Sequence, residues 1–421
     1  MDEEGLGERR NGLTGDPVTL ETAEPTRTAK LPLFGVTVVA IEQAVAAPYA
    51  SRLLADWGAR VVKIERPGTG DFARAYDGRV KGLSSHFVWL NRSKQSLTLD
   101  LKRPEGRDAL SRLVARADVF LHNLAPGAVD RLGFAAGPLR ARHPALITCA
   151  VSGYGASGPY RDRKAYDLLV QSEAGLLSVT GTPDAPAKAG ISVADIAAGT
   201  SASTAILLAL LARARTGEGA ALEVSMLDAL GEWMSHPFYY TVYGATPLPR
   251  SGAHHASIAP YGPYAGRDSE PVYLGIQNDR EWVTFCERVL ERPALAHDPR
   301  FDTNPHRVEH REALDVILAE VFGPWTAGEL TARLDAAGIA HARLNSVEAF
   351  ARHPQLAARR RWREIDSPAG PVRALVPPIT MEGVEPAMGP IPALGEHSDA
   401  ILAELGYDAA TIARWREGGV I

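Results

Sequence analysis

Asp195 follows Ile191-Ser192-Val193-Ala194 and precedes the small residues Ala197, Ala198 and Gly199. The apolar run continues to Arg215, so the spacing predicts a long helix with Asp195 at its start. Aspartate is a favoured N-cap, and capping is one reading. The second uses the same geometry: a carboxylate beside free backbone N–H groups can act as a nucleophile, with those amides stabilising the oxyanion that forms. The small residues after it would let a ligand or another backbone approach closely.

Cations recur at the expected ends of strands and in loops: Lys63, Arg66, Arg92, Lys94, Lys102, Arg131, Arg163 and Lys164. Such charges make charge-assisted bonds to phosphate oxygens. Each can equally be a solvated surface charge, and spacing alone does not gather them. Pro67-Gly68-Thr69-Gly70-Asp71 follows a strand-like segment. It has neither the GxGxxG nor the GxxxxGK[ST] spacing of nucleotide loops. His254 and His255 follow Arg250-Ser251-Gly252-Ala253. Adjacent histidines point different ways on most backbones, so loop histidines or ligands for an acid group are preferred over a metal pair. No GxSxG is present to support a serine hydrolase.

These residues need a scaffold. Val36–Ile41, Arg60–Glu65, Asp118–His122, Ala145–Ala150 and Leu222–Ser225 read as strands. Helices over residues 48–57 and 104–117 separate the first of them. That alternation predicts an α/β fold, with a parallel, doubly wound, Rossmann-like sheet. Residues 236–270 read as a loop rich in Pro, Gly, Tyr and His. A strand at 272–276 and helices near 280–291, 306–321 and 326–337 follow, which suggests a smaller α+β domain. The expected division is a tail at 1–30, disordered; a large domain at 31–235; a linker loop and small domain at 236–345; and a return to the large domain at 346–421.

The composition, 45% hydrophobic and 23% charged over 421 residues, suits a globular enzyme with a sizeable core. A net charge of −5 offers no global field for nucleic acid or an anionic membrane. No apolar run of about 18 residues is free of charge, so no membrane span is expected. The only cysteines, Cys149 and Cys286, have no zinc or disulfide spacing, which fits a reducing cytoplasm.

Several motifs, in order along the chain, resemble CoA-transferase family III. They include Ala46-Ala47-Pro48, Leu54-Ala55-Asp56-Trp57-Gly58-Ala59, and Val62-Lys63-Ile64-Glu65-Arg66-Pro67-Gly68-Thr69-Gly70-Asp71. Asn91-Arg92-Ser93-Lys94, Asn123-Leu124-Ala125-Pro126-Gly127, Lys164-Ala165-Tyr166-Asp167 and Leu394-Gly395-Glu396-His397-Ser398-Asp399 continue the set. The resemblance implies Asp195 as the catalytic carboxylate. It implies Arg66, Leu99, Lys102, Arg131, Lys164 and Tyr166 as CoA-binding positions, with Asn123 shaping the pocket. CoA thioesters would be substrates, with no tightly bound cofactor and no metal. It also implies a large domain built from both chain ends and an interlocked homodimer.

Two departures shape the expected substrate. Val45 stands where formyl-CoA transferases carry Gln, and the loop Ser251–Gly262 lacks their Gly-rich pattern. These features, with Arg250, His254 and His255, resemble relatives acting on C4–C5 dicarboxylates such as itaconate, with succinyl-CoA as donor. A racemase of the same fold would need His where Tyr166 stands. A non-catalytic CoA-binding protein is the further alternative. A nicotinamide-dependent dehydrogenase lacks its glycine fingerprint.

Overall fold

The structure, a computed structural model, describes residues 31–421. The expected tail at 1–30 lies outside the described residues. Six parallel strands form the central sheet: β1 (Thr37–Ile41), β2 (Arg60–Glu65), β3 (Lys94–Thr98), β4 (Val119–His122), β5 (Ile147–Ser152) and β6 (Ala221–Ser225). Their order is β3-β2-β1-β4-β5-β6, with Val38 paired to both Val61 and Val119. β1 and β2 are almost wholly buried, as strands covered on both faces must be; β1 is accordingly apolar after Thr37, while β2 buries Lys63 and Glu65 with partners. β3 was missed as a strand because Lys94-Gln95-Ser96 reads as polar. Lys94 and Ser96 are buried by pairing with polar partners.

The strand order reverses between β1 and β4. In doubly wound sheets the ligand crevice lies there, beyond the carboxyl ends of the strands. Two helices cover this region on one face. One is Ala46–Asp56, which begins two residues before Pro48; the other is Val193–Thr216. Gly199 permits their close contact, since a Cβ there would lie 2.6 Å from the Ala46 carbonyl oxygen. The helix Val193–Thr216 is long and apolar enough to span a membrane by length and composition alone. Ala194, Ala197, Ala198, Ala202 and Ile206 instead bury one side of it in the core of the fold.

The other face of the sheet joins both ends of the chain. Ile401, Leu402, Leu405 and Ile412 pack with Val39, Ile41, Val62 and Phe120. The Ser398 Oγ meets the Thr98 N–H at 3.1 Å, fastening the helix Ser398–Glu404 to β3. A separate core runs from Ala259 to Ile339, built around Trp282, Phe285, Phe301 and Phe322. It is backed by the antiparallel sheet β7 (Tyr261–Ala265), β8 (Pro271–Gly275) and β9 (His341–Arg343). A hairpin of β10 (Trp362–Ile365) and β11 (Val372–Leu375) lies in the returning segment. The expected loop at 236–270 is irregular over 245–260 and 266–270 but holds two elements. Ser235–Gly244 is a helix, and β7 starts at Tyr261.

Candidate active site

The loops after β1 and β4 are tied at the switch point. The Gln43 N–H donates to Asn123 Oδ1 at 2.9 Å, and Asn123 Nδ2 donates to the Gln43 carbonyl at 2.8 Å. Asn123 thus shapes the crevice by holding its floor. Two clefts meet there and share Gln43 and Leu124. One, of about 540 Å³, is lined by Arg66, Leu99, Lys102 and the Pro67–Asp71 turn. The other, of about 610 Å³, is lined by Asn123, Lys164, Tyr166, Asp167 and Asp195.

Asp195 occupies the third position of its helix, not the cap. Ser192 precedes the helix without a side-chain capping bond. Capping falls to Asp167, whose Oδ1 accepts from the N–H groups of Ala194 at 2.8 Å and Asp195 at 3.2 Å. Its Oδ2 accepts from Gln171 Nε2 at 2.6 Å. These helix amides are therefore occupied, and the oxyanion role expected of them does not hold. Ala46, at the uncapped start of the neighbouring helix, lines the cleft beside Asp195, and its N–H favours the Asp195 carboxylate.

Burial pushes the Asp195 carboxyl up to about 7, and the negative charge of Asp167 adds to the rise. The Ala46 N–H pulls in the opposite direction. A half-buried carboxylate with a raised pKa in a cleft is a functional signature when geometry supports it. Poorly solvated, it is also a better nucleophile than one in water.

The cations divide into two groups. Arg66, Lys102, Arg131 and Lys164 are exposed and carry no ion pair among the described residues. Arg66 and Lys102 line the first cleft and Lys164 the second, while Arg131 stands outside both linings. Lys63, Lys94 and Arg92, also considered as phosphate ligands, are buried in ion pairs. Lys63 Nζ meets Asp71 Oδ2 at 2.8 Å, Lys94 Nζ meets Glu42 Oε1 at 2.7 Å, and Arg92 Nε meets Asp56 Oδ1 at 2.7 Å. Lys63 and Lys94 thus lie beneath the crevice on Asp71 and Glu42, while Arg92 is held at the far end of the helix Ala46–Asp56; each is buried. Leu99 is buried at the edge of the first cleft, and Tyr166 is 67% exposed at the mouth of the second.

Arg250, His254 and His255 do not line these clefts within one chain. Arg250 donates to the carbonyls of Thr182 at 2.9 Å and Pro183 at 2.8 Å. His254 packs edge-on against Tyr264, and His255 stacks on Tyr261 with centroids 5.2 Å apart. The histidines are thus anchored to the β7 region. Two residues without an expected role matter to the site: Asp167, which caps the helix bearing Asp195, and Asp71, which accepts from the Ala44 N–H at 3.1 Å. Each lies 27 residues from its partner, so no local pattern could have signalled the pairing.

The sheet order and the carboxylate at its switch point define an α/β enzyme that works at the carboxyl ends of its strands. The family model of CoA-transferase family III matches residues 33–398, and the chain belongs to that family. The chain is 34% identical over 389 residues to the succinate–glutarate CoA-transferase of Agrobacterium fabrum, covering 89% of this chain and 96% of the relative. It is 32% identical over 387 residues to the succinyl-CoA–D-citramalate CoA-transferase of Chloroflexus aurantiacus, covering 89% and 94%. A solved CaiB/BaiF family protein from Brucella suis matches with a TM-score of 0.78 and 33% identity, covering 89% of this chain and 99% of that one. The protein is a CoA-transferase, and CoA thioesters are its substrates.

Proposed function

We propose that this enzyme moves CoA from succinyl-CoA to a C4–C5 dicarboxylate, such as itaconate or glutarate, through covalent intermediates on Asp195. The observation that carries this reading is Asp195 itself: a half-buried carboxylate, with its pKa raised by burial, beside a backbone donor at the sheet's switch point. The choice of acids is supported by relatives named for succinyl-CoA paired with glutarate and citramalate.

In the first step an Asp195 oxygen bonds to the thioester carbonyl carbon. The C–S bond breaks, leaving a mixed anhydride and CoA thiolate. The thiolate attacks the Asp195 carbonyl carbon and expels succinate, leaving an aspartyl-CoA thioester. The acceptor carboxylate displaces CoA to form a second anhydride. Thiolate attack on the acceptor's carbonyl carbon then releases the new acyl-CoA and the Asp195 carboxylate. Charge moves onto the Asp195 carbonyl oxygen in the middle steps, where a fixed donor contributes most.

CoA is proposed to lie along the joined clefts, with its phosphates near Arg66, Lys102 and Arg131 and the thioester near Lys164, Tyr166 and Asn123. The unpaired state of these cations supports that placement. Arg250, His254 and His255 would reach an acid only from another subunit or after a movement of the loop. A homodimer is proposed as well. Leu207, Leu208 and Leu211 expose one side of the core helix, and Tyr239 and Tyr243 extend the uncovered apolar surface. The proposed setting is a reducing cytoplasm, consistent with two buried free cysteines.

An acceptor screen with succinyl-CoA tests the substrate reading. Itaconyl-, glutaryl-, citramalyl-, malyl- or mesaconyl-CoA should form. Transfer only to formate or oxalate would overturn it.

A further inference from the structure

Ala44 has a φ of 60°, in the left-handed region. A residue with a Cβ pays about 1–2 kcal/mol there, so the surroundings must hold it in place. Two side chains do so. Asn123 grips Gln43 through both its amide atoms, at 2.9 and 2.8 Å. Asp71 Oδ1 accepts from the Ala44 N–H at 3.1 Å and from the Ala73 N–H at 2.9 Å.

Asp71 is itself fixed from below. It is 1% exposed, and its Oδ2 accepts from Lys63 Nζ at 2.8 Å. Lys63 also donates to the Glu42 carbonyl at 3.2 Å, just before the turn begins. Glu42 in turn receives Lys94 Nζ at 2.7 Å and Ser51 Oγ at 2.6 Å. This buried network reaches the backbone at Glu42, Ala73 and Pro48 as well as at Ala44, and so holds the turn from both sides. Two residues further on, Ala46 lines the same cleft as Asp195, and the Asp195 helix packs against it at Gly199; its N–H is near enough to favour the Asp195 carboxylate.

We propose that Asp71 is a positioning residue for the transfer reaction: through the Ala44 N–H it holds the Gln43–Ala46 turn and so aims the Ala46 N–H at the Asp195 carboxyl. The proposal rests on Asp195 being the acyl carrier. When thiolate adds to the Asp195 carbonyl carbon, the oxygen takes the negative charge. The Ala46 N–H holds that charge until the carbon–oxygen bond to the departing acid breaks. Asp71 acts through the backbone.

The test compares the purified enzyme with Asp71→Ala, Asp71→Asn and the double variant Asp71→Ala/Ala44→Gly. Loss of one fixed donor lowers kcat on the order of a hundredfold, so Asp71→Ala should lose about tenfold or more while KM for succinyl-CoA changes little. The acidic limb of its pH profile should move up, because the Ala46 N–H no longer favours the carboxylate. Asp71→Asn keeps an oxygen for both N–H groups but sets its amide nitrogen against the Lys63 ammonium in place of Oδ2, so it should retain more of kcat than Asp71→Ala without matching wild type. Glycine takes a φ of +60° without strain, so Ala44→Gly should restore part of the activity in the double variant.

A folded Asp71→Ala enzyme with wild-type kcat and pH profile would overturn the proposal, as would a double variant no faster than Asp71→Ala. If Asp71→Ala does not fold, Asp71→Asn and Asp71→Asn/Ala44→Gly decide: a folded pair with the same lowered kcat overturns it, and recovery on adding Ala44→Gly, or full kcat in Asp71→Asn with its pH profile unchanged, supports it. Trapping the adduct in wild type separates the two readings. A wild-type adduct on a residue other than Asp195 removes the acyl-carrier reading, whatever Asp71 does.

Discussion

Asp167 and Asp195 meet at one helix terminus in different roles. The Asp167 carboxylate takes the amides of Ala194 and of Asp195 itself, at 2.8 and 3.2 Å. The Asp195 carboxylate points away from those amides into the cleft, toward the start of another helix. One carboxylate is saturated with donors. The other has lost much of its water, and the charge of the first raises its pKa. The cap and the proposed nucleophile are thus two residues, and the charge of the first raises the pKa of the second.

The first consequence is a pH dependence. With the Asp195 carboxyl near 7, kcat/KM should rise with pH to a midpoint near 7 and then level. Initial rates between pH 5 and 9 at low succinyl-CoA measure this. A flat profile across that range would contradict the assignment.

Replacing Asp167 separates charge from capping. Asp167→Asn keeps the acceptor oxygen and removes the charge, so the acidic limb should move to lower pH with little loss of stability. Asp167→Ala also leaves the helix amides without their acceptor and should cost about 1 kcal/mol of stability. Thermal denaturation alongside pH profiles distinguishes the two variants.

Asp195 should itself be a stability liability. Its folded pKa is raised above the unfolded value of 3.8. The folded state therefore disfavours the charged form, and the penalty is absent below pH 3.8. It grows as pH rises toward 7 and stays constant above. Asp195→Asn should accordingly raise Tm more at pH 8 than at pH 4.5. An equal change at both pH values would show that the shift is not expressed in stability.

Gly199 sets the spacing between the two helices that form the site. A Cβ there would lie 2.6 Å from the Ala46 carbonyl oxygen, which backbone atoms cannot readily yield. Gly199→Ala should destabilise by about 1–3 kcal/mol and lower kcat by shifting the Ala46 N–H from Asp195. Unchanged denaturation and kcat would show that the helices separate freely.

Sequence patterns were strong where physics is local. Val38-Val39-Ala40-Ile41 and Val61-Val62-Lys63-Ile64 gave strands through apolar runs that a doubly buried sheet requires, and Asp195 stood out at the start of an apolar helix. Legibility failed where burial is polar. Lys63 and Lys94 look like surface or phosphate-binding charges, yet both are buried on Asp71 and Glu42. β3 was hidden for the same reason. The roles of Asp167 and Asp71 depend on contacts across 27 residues, which only the fold creates. The helix Ser235–Gly244 was obscured by its Pro and its aromatic residues, several of which remain exposed in this chain.

Removing the Asp195 carboxylate should abolish transfer while sparing recognition. Asp195→Ala should lower kcat by about three orders of magnitude or more, as loss of a covalent nucleophile does elsewhere. Calorimetry with CoA should show little change in affinity, because the cations proposed to hold its phosphates are untouched.

The most direct measurement is identification of the covalent intermediate. The enzyme would be incubated with succinyl-CoA, quenched, digested and mapped by mass spectrometry, with hydroxylamine used to convert any activated acyl group to a stable hydroxamate. The account predicts modification of the peptide bearing Asp195, at that residue alone, and none in Asp195→Ala. Modification at another residue, or full transfer activity in Asp195→Ala, would contradict it.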